Sequence, residues 1–126
     1  MVIKIILSVV LFIHGMAHIG GILAPFKADK AGFKNAPWLF SDKVLLSSGI
    51  GMFWGVLWFI ACAGFIASAF GFYFDKSWVA VVVAISAVYS LIAMVPWWKA
   101  VPPGAKVGMV FDVIVIVFLL VSGRIL

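Results

Sequence analysis

Mostly apolar residues, uncharged but for Asp112, fill four long blocks, roughly 5–24, 44–72, 78–98 and 107–123, and the lysines, most prolines and the other three aspartates fall between or beside them. Each block is near the ~20 residues that carry a helix across a bilayer, so the pattern predicts four transmembrane helices, spans 1 to 4. The second block is too long for one upright crossing: ~29 helical residues reach ~43 Å against a ~30 Å hydrocarbon core. It must tilt, break, or emerge at Gly71 into the aromatic Phe72-Tyr73-Phe74 belt. The fourth block is short, so its helix is expected to start before Lys106 and end at Arg124, with both side chains reaching for the interface. Pro25 is expected to end span 1, Ser41 or Asp42 to cap span 2, Ser77 to cap span 3, and Pro102-Pro103-Gly104 to form the turn into span 4.

Composition makes the same point. Of 126 residues, 67% are hydrophobic and 10% charged, whereas a soluble domain is nearer half apolar and a quarter charged. The expected fold class is all-α and integral to the membrane: four antiparallel transmembrane helices in one bundle, a single domain over 1–126. Lys4 before an apolar stretch resembles a signal peptide, but the run continues past a normal h-region and no A-x-A site ends it, so a retained span is expected. The lone Cys62 cannot form an intrachain disulfide.

The net charge of +5 lies mainly in the connections and favours anionic lipid headgroups over nucleic acid. Lys27, Lys30, Lys34, Lys43, Lys99 and Lys106 lie in the 1–2 and 3–4 connections, against Lys4, Lys76 and Arg124 on the other side. That bias predicts cytoplasmic 1–2 and 3–4 connections with both termini outside. On a helix, Lys27, Lys30 and Lys34 share a face with Phe26 and Phe33 nearby, which suits either a headgroup-binding segment in the interface or a solvated linker. Trp38, Trp97 and Trp98 are placed as interfacial anchors. Ser47, Gly51, Gly55, Gly64 and Ser68 form a small-residue stripe on span 2, and Ser86, Ser90 and Ala93 one on span 3. Such stripes let helices approach closely, within the bundle, against a second copy, or against another membrane subunit.

The candidate chemistry sits in two spans. His14 and His18, the only histidines, are four apart in span 1 and project to the same side, with Gly15 beside them. Asp112 is the one carboxylate within a span. Measured from the side of the 1–2 and 3–4 connections, His18 lies ~9 Å deep and Asp112 ~8 Å, and an earlier start of span 4 moves Asp112 towards His14. Ionisable groups at such depth need partners. Three readings follow: a hydrogen-bonded polar knot completed by Ser8, Ser48, Ser86, Tyr89 or Ser90; a site for zinc, copper or iron with two imidazoles and a carboxylate as ligands; or a proton relay beside an apolar quinone slot that Trp54, Trp58 and Tyr89 could line. Haem fits less well, because histidines four apart on one helix cannot take opposite axial positions. The chain has no P-loop, G-x-S-x-G, dinucleotide fingerprint or H-E-x-x-H, and too few polar residues for a wide aqueous pore.

The stretch His14-Gly15-Met16-Ala17-His18-Ile19-Gly20-Gly21 resembles the H-G-x-x-H-x-x-G start of small four-span prokaryotic membrane proteins. The resemblance implies a four-helix architecture in a prokaryotic cytoplasmic membrane and carries no activity with it. The expected function is that of a non-catalytic accessory subunit or self-associating bundle whose His/Asp cluster can bind a metal ion. The alternative is a redox or transport protein that uses the cluster for metal, haem or quinone binding or for proton transfer.

Overall fold

A computed structural model describes residues 1–123; Arg124, used above for charge balance and the end of span 4, lies outside the described residues. Among the described residues the fold is helical apart from one small hairpin and the connecting turns. Span 1 consists of α1 (Val2–Ala17) and α2 (Ile19–Lys27), span 2 is α3 (Gly49–Tyr73), span 3 is α4 (Val79–Met94) and span 4 is α5 (Pro103–Val121). With a 3-10 turn, Val95–Trp97, extending α4, these make four helical segments long and apolar enough to cross a membrane.

The break between α1 and α2 has a side-chain cause. His18 Nδ1–H donates to the carbonyl of His14 (2.8 Å), the acceptor that the His18 backbone N–H would use in an unbroken helix, and that N–H instead reaches the Gly15 carbonyl (3.1 Å). Pro25 does not end the segment. Its fixed φ is helical, and α2 runs past it to Lys27. Ser41 and Asp42 do not cap span 2: they lie on β2 (Ser41–Leu45), which pairs antiparallel with β1 (Pro37–Trp38). The cap is Ser48, whose Oγ accepts from Gly51 N–H (3.4 Å), so the excess length of the second block is taken up by the hairpin. Ser77 gives way to Trp78 as the first cap residue of α4, without a side-chain cap bond. α5 does begin before Lys106, at Pro103, where a missing N–H costs nothing.

The long connection is neither an interfacial helix nor a free linker. After Lys27 a 3-10 turn (Asp29–Ala31) and Gly32, at φ 74°, reverse the chain, so Lys27, Lys30 and Lys34 are exposed but share no continuous helical face. Lys34 N–H donates to Ala100 O (2.9 Å) and Leu39 N–H to Pro96 O (2.8 Å), which ties this connection to the one between α4 and α5. Phe33 and Leu46 enter the core beside Trp58. Trp97 is correspondingly no interfacial anchor: it is fully buried beneath the hairpin, with the Trp38 ring 6.0 Å away. Trp98 remains half exposed with the Lys106 ammonium 4.4 Å over its ring.

The small-residue stripe of span 2 divides among several neighbours. Ser47 precedes α3, exposed, with its N–H on Asn35 Oδ1 (3.0 Å). Gly51 lies against the Leu46 backbone, Gly55 faces α2 near the Ile22 carbonyl and Pro25, and Gly64 sits against the Ser86 hydroxyl of α4. Ser68 is fully buried. α1, α2 and α4 pack along α3, and α5 packs on α4. Among the described residues α1 and α5 share no comparable backbone seam, so a groove runs between spans 1 and 4. Away from the packed faces, large apolar side chains such as Phe53, Phe59, Ile85, Val113 and Val117 are exposed. Water would make such a surface unfavourable, whereas hydrocarbon solvates it.

Candidate functional site: a buried His-Asp-Ser-His chain

Two apolar cores lie along the helices, one around Trp58, Met94 and Trp97 and the other around Leu11, Phe65 and Ala87. The polar centre joins them: the His18 ring touches Trp58 and Phe65, with centroids 5.6 and 5.5 Å away. Asp112 is fully buried, as is Ser90, and His18 is 2% exposed.

The side chains form an unbroken chain of contacts from three elements. His14 Nε2 lies 2.8 Å from Asp112 Oδ1, Ser90 Oγ lies 2.5 Å from Asp112 Oδ2, and His18 Nε2 lies 2.8 Å from Ser90 Oγ. His18 Nδ1 returns to the His14 carbonyl at 2.8 Å. Helix geometry explains the convergence. His14 and His18 are one turn apart on span 1, and Gly108, one turn before Asp112 on α5, lets the His14 ring lie against its backbone. A Cβ at Gly108 would stand 3.4 Å from His14 Cε1. Phe65 and Phe111 hold the same ring, with centroids 4.6 and 4.5 Å away.

Of the five residues expected to complete a polar knot, only Ser90 joins it. Ser86 donates to Val82 O (2.7 Å), Ser48 caps α3, Ser8 Oγ has no partner among the described residues, and Tyr89 lines a separate cleft with Ile85 and Ile116. Trp58 borders the centre. Trp54 instead donates its Nε1–H to Ile92 O (3.0 Å), away from it. Gly108 and Phe111 were not legible as site residues, although their spacing from Asp112 on one helix face is the signal that could have found them.

The proton count follows from the partners. The His14 carbonyl can only accept, so His18 Nδ1 carries a proton. If Asp112 is ionised, Ser90 O–H donates to it, His18 Nε2–H donates to Ser90, and His18 is an imidazolium. If Asp112 is protonated, its O–H donates to Ser90, Ser90 donates to His18 Nε2, and His18 is neutral. The two arrangements contain the same protons and differ by two short hops through the Ser90 hydroxyl. Both arrangements accept a neutral His14 that donates from Nε2–H to Asp112 Oδ1, and in that tautomer His14 Nδ1 carries a bare lone pair.

The same groups also meet the donor requirements of a metal ion. One ligand atom each from His14, His18 and Asp112 lie within 4.8 Å of one another, and a backbone carbonyl orients His18 with Nε2 pointing inward, as metal-binding histidines commonly are.

Comparisons of the chain with protein-family models, with curated proteins and with solved structures returned no match.

Proposed function

We propose that the chain is an integral membrane protein of four antiparallel spans whose His14–Asp112–Ser90–His18 chain holds a proton inside the bilayer and passes it between an imidazole and a carboxylate. One observation carries this reading: every link from His18 to His14 is at hydrogen-bonding distance, and both proton placements satisfy every link. A merely structural knot needs one placement; this one accommodates two of equal proton count. The exposed apolar exterior supports insertion, and the lysine bias supports cytoplasmic 1–2 and 3–4 connections in a prokaryotic cytoplasmic membrane. Because the polar centre lies within the spans, this reading has the protein act within the membrane, as a self-associating bundle or as the proton-handling subunit of a larger assembly.

Infrared spectroscopy of the protein in lipid bilayers tests the proposal. The expected result is the carbonyl stretch of a protonated carboxyl group that shifts on deuterium exchange, disappears in Asp112→Asn, and loses its coupling to the imidazole bands in Ser90→Ala. A carboxyl signal that ignores deuterium and Ser90 would reduce the centre to a static knot.

The close approach of three ligand atoms favours a second reading, a zinc, copper or iron ion held by His14, His18 and Asp112. Bound, the ion would replace the shared proton and supply Lewis-acid or redox chemistry. Metal analysis of protein purified without chelators distinguishes the two: stoichiometric metal lost in His18→Ala supports the ion, and its absence in the wild type removes it.

A further inference from the structure

The groove between spans 1 and 4 is not uniform. His14 crosses it to reach Asp112 on α5, and Val10 and Phe111 border both of its halves, so it is divided into two clefts. The half beside the 1–2 and 3–4 connections is a cleft of about 450 Å³, a size typical of small-molecule sites. Both imidazoles line it, and so do the aromatic rings of Phe33, Trp58 and Phe111. Its width comes from small residues on both walls, Ala17 and Gly20 on one side and Gly104, Ala105 and Gly108 on the other, where no side chain closes the gap. A partner helix, ~10 Å across, cannot lie along a groove whose walls are joined through His14 and Asp112. A ring-sized molecule fits one half without breaking that bridge.

From the bridge to the ligand is a matter of hydrogen-bond chemistry. With His14 Nε2–H committed to Asp112, the free edge of the neutral ring is Nδ1, an acceptor. It lies at the Gly108 wall, 4.0 Å from where a Cβ would stand, and has no hydrogen-bond partner among the described residues. A ligand that satisfies it must donate. Aromatic walls favour a flat ring, and a cleft opening between two lipid-exposed spans favours a molecule that arrives through the bilayer.

We propose that this cleft binds a lipid-soluble phenol or quinol, its hydroxyl donating to His14 Nδ1 and its ring lying among Phe33, Trp58 and Phe111. The proposal rests on the reading of the His14–Asp112–Ser90–His18 chain given above, in which a neutral His14 donates from Nε2 to Asp112 and leaves Nδ1 as the acceptor. It concerns binding alone. The hydroxyl proton stays on the ligand oxygen, shared in an O–H···N bond, and no electron moves.

The test uses the full chain in bilayers with ¹⁵N-labelled histidine, which reports two rings only, because the chain has two histidines. The probes are a short-tailed benzoquinol, kept reduced, and its dimethyl ether, which keeps the ring and tail, adds a methyl at each oxygen and lacks the donor. The expected result is a saturable shift of His14 Nδ1 with the quinol and roughly tenfold weaker binding of the ether, the value of one buried hydrogen bond. Gly104→Leu, where a Cβ meets nothing within 4 Å, is expected to fill the cleft and weaken quinol binding by a similar factor while the ligand-free histidine spectrum stays as in the wild type. Equal binding of quinol and ether, as for a lipid chain merely filling a gap, would overturn the proposal, and so would no saturable shift or quinol binding indifferent to Gly104→Leu. The ligand-free spectrum and the carboxyl infrared band report on the His14–Asp112–Ser90–His18 chain separately, so a working chain with an empty cleft and a failed chain give different results.

Discussion

His14 Nε2 and Asp112 Oδ1 meet at 2.8 Å across a groove whose two helices otherwise lack a packed backbone seam. The contact therefore both closes the fourth side of the helix arrangement and sets which histidine nitrogen is free. Asparagine can take over this role and alanine cannot. In Asp112→Asn the amide oxygen accepts from His14, the amide N–H donates to Ser90, Ser90 donates to His18 Nε2, and every group stays paired with His18 neutral. Asp112→Asn is expected to unfold in detergent within about 1 kcal/mol of the wild type, while Asp112→Ala orphans buried donors and loses about 1–3 kcal/mol for each. Equal losses in both variants would mean that charge, not hydrogen-bond pairing, holds the centre together.

Ser90 is the one hydroxyl between imidazole and carboxylate. Ser90→Ala is expected to interrupt proton exchange between them and to destabilise the fold by about 1–3 kcal/mol, because His18 Nε2 and Asp112 Oδ2 lose their partner. Ser90→Thr keeps the hydroxyl and should restore exchange even where its extra methyl lowers stability. Deuterium exchange at the carboxyl group, followed by infrared spectroscopy, separates the two effects.

Gly64 tests the packing of α3 on α4 independently of the polar centre. A Cβ there would collide with the Ser86 hydroxyl, which is bonded to Val82 O, and would stand 3.2 Å from Ser86 Cβ. Gly64→Ala should lower stability by about 1–3 kcal/mol through overpacking. Removing the obstructing hydroxyl in Gly64→Ala/Ser86→Ala should recover most of that loss, giving a favourable coupling in a double-mutant cycle.

Orientation can be read by thiol labelling in intact cells. Cys62 is buried in α3 and is expected to resist a maleimide in the folded protein, and Cys62→Ala supplies a silent background. In that background Lys30→Cys should label only after the cytoplasmic face is opened to a membrane-impermeant reagent, and Lys76→Cys should label from outside. The reverse pattern would invert the topology expected from the lysine bias.

Hydropathy made the four helical segments legible, and helical depth alone brought Asp112 to the level of the histidines. The early start of α5 at Pro103 then decided that Asp112 meets His14 directly while Ser90 links it to His18. The 25–43 connection was read less well. Its lysines suggested a helical face, but its shape depends on distant partners: Ala100 and Pro96 accept from Lys34 and Leu39, and Phe33 fills a pocket beside Trp58. No local periodicity records such contacts. The same holds for Trp97, whose place after a span suggested an interfacial anchor until the hairpin covered it. The break at His18 was likewise hidden, since it arises from a side chain competing with its own backbone for the His14 carbonyl.

The proton placement in the His14–Asp112–Ser90–His18 chain is read most directly from the ¹⁵N spectrum of the two histidine rings in bilayers, without ligand. The expected spectrum shows His14 protonated at Nε2 with Nδ1 bare, and His18 protonated at Nδ1 with its Nε2 proton shared towards Ser90 and responsive to Asp112→Asn. His14 protonated at Nδ1 alone, or a His18 Nε2 indifferent to Asp112→Asn, would contradict it.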